Sequence, residues 1–375
     1  MAVRNGKVHT AVVLQGGGAL GAYEHGVLQA LYEQRPDFRP IAVAGISIGA
    51  VTAAVLAGAK TDQISALDRL WREELVVSPP RPIDRLFPSV VERSLAVLGN
   101  PGMYRPNPAL LTTPWAATSL YDTRPLRRIL TELVDPDKLN GEEPEVIVGA
   151  TNVGSGEMEF FDRRCPDGLT FDHVIASGSL PPSFPMTEID GRRYWDGGLF
   201  SNLPLAPAIN ALQAAGNGDR SAIRELIVVE LFPMSAPIPR SMPEVLRRMV
   251  QLQYTSRLKL DKPFFEKIDR IADLMARVDE QLPKRSEVRR DPTYQDLLAF
   301  RKIDRFCVVT STLPRELSQA SDFSRSTIEA RIRAGYDDAI AQGISHVGVG
   351  TPSRNHRRRT GVRRWMRRQL DSEAA

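Results

Sequence analysis

The chain has 375 residues, 42% of them hydrophobic and 25% charged, the balance of a globular protein with a sizeable core. Its formal charge of +4 is local: residues 354–375 hold eight Arg against Asp371 and Glu373, a net of +6 that leaves −2 on residues 1–353, which argues against a basic nucleic-acid-binding face. Two distant cysteines, Cys165 and Cys307, argue against a disulfide framework or zinc site, and no apolar run reaches the length of a membrane span or signal-peptide core, so a cytoplasmic location is expected.

Residues 9–14 read as a buried first strand, 16–21 as a glycine loop, and 22–34 as a helix with Tyr23, Val27, Leu28 and Leu31 at helical spacing. A second strand (41–44), a second helix (48–59) rich in small residues and a third helix (63–75) follow. This alternation predicts an α/β fold with a largely parallel sheet. Residues 76–125 break the pattern with nine prolines, yet carry Leu86, Phe87, Leu95, Leu98, Met103, Tyr104, Leu110, Leu111 and Trp115. Such a stretch either packs back on the domain surface or forms an apolar wall over a binding site. Thr123-Arg124-Pro125 starts a helix, with Pro early in the first turn. Strands are predicted at 145–150, 157–161, 193–198, 226–231 and 306–312. Helical patterns cover 204–214, 243–277 and 326–342.

Three short motifs carry chemistry. The first, Gly16-Gly17-Gly18-Ala19-Leu20-Gly21, follows a strand and precedes a helix, so its backbone N–H groups are free to face an anion. It suits an oxyanion hole. It also matches the G-x-G-x-x-G spacing of a dinucleotide fingerprint, but the acidic residue that reading needs after the second strand is missing. The second motif, Gly45-Ile46-Ser47-Ile48-Gly49, is a strand–turn–helix sequence that lifts Ser47 out of the sheet as a candidate nucleophile. The third, Tyr194-Trp195-Asp196-Gly197-Gly198, ends a strand on a carboxylate at a tight turn. Asp196 there can act as the base directly, if burial raises its pKa. The rival base is a histidine. Ser47, Asp196 and His346 stand in the chain order of an α/β-hydrolase triad, although His346 also fits a final strand, whereas His25 and His173 suit structural roles.

Taken together, Gly16–Gly21, Gly45–Gly49 and Asp196-Gly197-Gly198 resemble the patatin-like phospholipase family. Asp122-Thr123-Arg124-Pro125-Leu126, Ala176-Ser177 with Pro181 and Phe184-Pro185, Ile189-Asp190-Gly191 and Asn202-Leu203-Pro204 extend the likeness over residues 10–207. The resemblance implies a three-layer α/β/α fold and a Ser47–Asp196 dyad that needs no histidine, metal or cofactor. It further implies Gly16, Gly17 and Gly18 as oxyanion donors, with Gly21, Gly45, Gly49, Gly197 and Gly198 as supporting motif positions, and acyl esters of lipids as substrates. Asp322-Phe323-Ser324-Arg325-Ser326 and Arg333-Ala334-Gly335-Tyr336-Asp337 resemble a C-terminal extension of bacterial members.

The expected organisation is a catalytic domain at 8–235, a mainly helical extension at 236–352 packed on it, and a basic tail at 353–375. The tail reads as a solvated, disordered charge block; the alternative is that Arg354–Arg368, with Trp365, contacts an anionic membrane peripherally. No nucleic acid is expected as a partner. Two other functions share the same core: hydrolysis of another ester, such as a storage polyester or thioester, and a catalytically weak lipid-binding regulator.

Overall fold

The computed structural model describes residues 7–77, 100–215, 222–255 and 258–344. Among them an eight-stranded sheet runs in the order β10-β9-β1-β2-β5-β8-β7, with β6 added on β5. The strands are β1 (Val8–Leu14), β2 (Pro40–Gly45), β5 (Glu145–Asn152), β6 (Met158–Phe161), β7 (Thr187–Ile189), β8 (Arg192–Asp196), β9 (Ile223–Glu230) and β10 (Arg305–Thr310). β3 (Arg105–Pro106) and β4 (Tyr121–Asp122) form a separate two-stranded ribbon. The five strands β10, β9, β1, β2 and β5 are parallel, and β6, β7 and β8 run antiparallel to their partners.

The parallel strands are apolar on both faces because both are covered. Along β1, β2 and β9 alternate side chains serve two cores. Val12, Leu14, Val43, Ile227 and Val229 belong to one core, and Ala11, Val13, Ala42, Ala44, Leu226 and Val228 to the other. The first core is roofed by α1 (Gly21–Gln34), α2 (Ile48–Gly58), α3 (Gln63–Arg69), α4 (Arg124–Leu133) and α5 (Phe171–Ser177). The second is covered chiefly by α6 (Leu205–Ala214). This is the expected α/β/α layering with a mostly parallel sheet.

The C-terminal part joins the same body. β10 extends the sheet through six parallel pairs with β9, from Arg305↔Glu225 to Thr310↔Glu230. The last helix, α9 (Arg325–Ala341), lies on α1 at very short range. A Cβ at Gly335 would fall 2.0 Å from the Tyr23 carbonyl oxygen, and one at Gly26 would fall 1.9 Å from that of Ile332. Two glycines thus let the backbones touch, and the buried Tyr23 hydroxyl donates to Asp338 Oδ2 at 2.7 Å.

The structure differs from the sequence reading in three places. The amphipathic stretch 243–277 divides into α7 (Met242–Tyr254) and α8 (Leu258–Gln281). The third helix stops at Arg69 and widens into a π turn over Leu70–Glu74. The three-residue β7 escapes pattern reading. It pairs with β8 through a turn at Asp190 (φ 49°) and Gly191 (φ 74°), the left-handed pair that an Asp-Gly hairpin uses.

Candidate active site

β1 and β2 are parallel neighbours with Leu14 opposite Gly45, so the glycine loop and the Ser47 turn emerge side by side at the carboxyl ends of both strands. β8 reaches the same place from the other direction. Gly45 is opposite Val148 and Asp196 is opposite Ala150, two residues further along β5. Antiparallel entry of β8 therefore delivers its last residue, Asp196, to the end of β2.

Ser47 has φ 55° and ψ −120°, a conformation that costs a non-glycine residue about 1–3 kcal/mol and is held only by its surroundings. Those surroundings are tight. A Cβ at Gly45 would lie 2.2 Å from the Gly49 carbonyl oxygen, and one at Gly49 would lie 2.6 Å from the Leu14 carbonyl oxygen. The Ser47 N–H donates to Ser177 Oγ at 2.9 Å, which ties the turn to the end of α5. Ile48 then opens α2, whose N-terminal end carries positive partial charge beside the serine.

Asp196 is 3% exposed. Burial pushes its carboxyl pKa up to about 7; hydrogen bonds from the Gly198 N–H and from the Ser47 side chain oppose that rise. The Gly198 N–H reaches Asp196 Oδ1 at 2.7 Å. The Asp196 backbone is fixed on both sides, its N–H donating to Ser179 O and its carbonyl accepting from Thr151 Oγ1, each at 3.0 Å. Gly197 packs against the β5 backbone, where a Cβ would meet the Gly149 carbonyl oxygen at 2.5 Å.

In the glycine loop, the Gly16 N–H points to the Asn202 carbonyl at 3.4 Å, and Asn202 Nδ2 returns a bond to Gly16 O at 2.9 Å. The Gly17 and Gly18 N–H groups have no partner among the described residues. Gly21 starts α1 beneath the Trp71 ring. Ahead of the loop, buried Gln15 accepts from the Leu231 and Phe232 N–H groups and donates to the Tyr254 carbonyl at 3.0 Å. Gln15 and Asn202 thus pin the loop to the segment after β9 and to α7. The sequence had marked Asn202 only as part of a motif and Gln15 not at all.

Ser47, Asp196 and Gly16–Gly18 share one cavity of about 500 Å³. Its walls are largely apolar: Met103 and Tyr104 from the proline-rich excursion, Leu180 and Phe184 from the loop before β7, Phe232, then Leu246, Val250 and Tyr254 from α7, and Phe323. The excursion is therefore a wall at Met103 and Tyr104, where Tyr104 meets Phe184 edge-on and Tyr121 at a tilt. It is solvent-facing at Leu111 and Trp115. Its residues Leu86, Phe87, Leu95 and Leu98 lie outside the described residues.

Among the described residues no histidine lines this cavity. His25 is buried and bonded through Nε2 to Asp68 at 2.9 Å. His173 caps its own helix against Thr170 and stacks on Phe161, and burial lowers its pKa. His346 and the Arg354–Arg368 segment lie outside the described residues. No described helix is long and apolar enough to cross a membrane.

A family model described as patatin-like phospholipase matches residues 12–209, and a second, described as patatin phospholipase, matches residues 252–346. Uncharacterised NTE family proteins of Mycobacterium bovis and Mycobacterium tuberculosis are 26% identical over 241 residues, 64% of this chain. That match covers 55% of each relative, so the chain spans about half their length. Among solved structures, VipD from Legionella pneumophila aligns over 89% of this chain and 66% of its own, with 16% identity and a TM-score of 0.38. The ExoU–SpcU complex of Pseudomonas aeruginosa aligns over 90% of this chain and 75% of that chain, with 17% identity and a TM-score of 0.29. With the first family model spanning more than half of its residues, the chain belongs to the patatin-like phospholipase family.

Proposed function

We propose that this protein is a serine acyl hydrolase of lipid esters working through a Ser47–Asp196 dyad. One observation carries the reading: a serine on a strained turn shares an apolar cavity with a buried carboxylate whose pKa desolvation pushes up to about 7. A base with that pKa is poised for proton transfer near neutral pH, where an ordinary carboxylate is too weak.

In the proposed reaction the ester's acyl chain lies along the apolar walls. Asp196 takes the hydroxyl proton as Ser47 Oγ bonds to the carbonyl carbon. The tetrahedral oxyanion accepts from Gly17 and Gly18, whose N–H groups are unspent, and feels the positive end of α2. The Gly16 N–H, turned to Asn202, supports the loop's shape. Protonated Asp196 gives its proton to the leaving alcohol oxygen, and the acyl group stays on Ser47. Water, deprotonated by the same carboxylate, then releases the fatty acid and restores the hydroxyl. This chemistry calls for no metal or cofactor.

We assign catalysis to residues 8–235 and the walling of the pocket to part of 236–352, through Leu246, Val250 and Tyr254. Cytoplasmic placement belongs to the same proposal, as does the basic tail, read as a solvated segment with anionic-membrane contact as the alternative. A fluorophosphonate probe should label the wild type once, at Ser47, and leave Ser47→Ala unlabelled. A screen of phospholipids, glycerides and a polyester should show release of fatty acid by the wild type alone. Equal release by wild type and Ser47→Ala would overturn the proposal.

A further inference from the structure

Arg331 sits on α9, 0% exposed; among the described residues no carboxylate forms an ion pair with its guanidinium, and the Asp322 carboxylate acts on it only at longer range. It donates instead to four backbone carbonyls: Leu317 through Nε at 2.8 Å, Asp322 and Ala19 through Nη1 at 2.7 and 3.1 Å, and Gln319 through Nη2 at 2.6 Å. Three of the four acceptors belong to one segment, 317–322, and the fourth belongs to the glycine loop. That segment touches the loop directly. Ala320 O accepts from the Ala19 N–H at 2.8 Å and sits 2.6 Å from where a Cβ on Gly18 (φ 55°) would stand. Ser318, Gln319, Ala320 and Ser321 also line the cavity that holds Ser47.

Both polar groups of Ala19 are thereby tied to the C-terminal part of the chain, the N–H to Ala320 and the C=O to Arg331. Gly18 itself is backed by the Ala320 carbonyl. The neighbouring Gly17 and Gly18 N–H groups are left unspent at the cavity. Burying a cation whose direct partners are carbonyls is costly, and an apolar side chain would fill the space more cheaply. A planar fork with five donors is the side chain that can hold four carbonyls of two separate segments at once.

We propose that Arg331 is a positioning residue for the oxyanion hole: it straps segment 317–322 onto Ala19 and so presets the Gly17 and Gly18 N–H groups, which makes the C-terminal part of the chain a component of the active site. The proposal rests on the oxyanion role assigned above, and its test separates the two. Turnover per fluorophosphonate-titrated site and peptide hydrogen exchange over residues 15–21 are measured for the wild type, Arg331→Met and Arg331→Lys. Arg224→Met is the control: Arg224 is also buried and also donates to backbone carbonyls, of Leu212 and Ala215, but at the start of β9, the far end of the sheet.

A loosened loop misplaces its donors, so kcat in Arg331→Met should fall about a hundredfold while KM moves less than about threefold. Exchange over 15–21 should rise, Arg331→Lys should fall between, and Arg224→Met should keep kcat per titrated site. Should Arg331→Met fail to fold, Arg331→Lys decides on the same two readouts. Unchanged kcat per site, or lost kcat with unchanged exchange over 15–21, overturns the strap. If wild type and Ser47→Ala hydrolyse equally, the hydrolase reading has failed instead. Exchange over 15–21 then decides the strap alone, raised exchange supporting it and unchanged exchange overturning it.

Discussion

Replacing Asp196 by Asn should produce a protein that is inactive and, at alkaline pH, more stable than the wild type. Burial raises the folded-state pKa of Asp196 to about 7, against 3.8 for an ordinary aspartate. The sign follows from which state holds the proton. Below pH 3.8 both folded and unfolded forms are protonated, and the group does not oppose folding. Between 3.8 and about 7 the unfolded chain ionises while the folded carboxyl keeps its proton, so stability falls as pH rises, and above about 7 the loss is complete. At 1.36 kcal/mol per pKa unit the full penalty is about 4 kcal/mol, of which about 2–3 kcal/mol accrues between pH 5 and pH 8. Asn cannot ionise, so the advantage of Asp196→Asn over the wild type should grow by that amount between those pH values. Urea unfolding of both proteins at pH 5, 6, 7 and 8 measures it. In parallel, wild-type kcat/KM should rise about tenfold per pH unit well below pH 7 and level off above it, as the base loses its proton. A stability difference constant with pH to about 0.5 kcal/mol would refute the buried, raised-pKa carboxylate, since that group must register through proton linkage. An Asp196→Asn protein with wild-type turnover would refute its role as base.

Gly49→Ala should destabilise the fold by about 1–3 kcal/mol and abolish hydrolysis, because the added methyl meets the Leu14 carbonyl at 2.6 Å and neither backbone can retreat; denaturant midpoint and turnover report the two effects. Val250→Trp, on the pocket wall supplied by α7, should shorten the acyl preference, lowering the decanoyl-to-butyryl ester kcat/KM ratio by about tenfold, and an unchanged ratio would place the acyl chain elsewhere.

The motifs legible in the sequence are those whose meaning is local. Gly45 and Gly49 bracket a turn that only glycines can close, because each would collide with backbone within four residues or on the adjoining strand. The same is true of strands that read as apolar runs, since a parallel strand covered on both faces is apolar along most of its length. Family membership and the α/β layering follow from such features. The residues left unread act across long stretches of chain. Gln15 bonds to positions 216 and 217 residues away, Asn202 to Gly16 across 186, and Arg331 to Ala19 across 312. Nothing in the local pattern around Arg331 separates it from the solvated arginines of any amphipathic helix. Likewise His25 and His173, chemically eligible as bases, are spent on Asp68 and Thr170 by packing that no spacing rule encodes. Local sequence limits which backbone turns can close and which atoms are able to react. Tertiary structure decided where β8 ends relative to β2, and so the burial of Asp196. Desolvation is a property of everything around a carboxylate, and here those surroundings come from β5, the glycine turn after β8 and the Ser47 turn, which only the folded chain brings together.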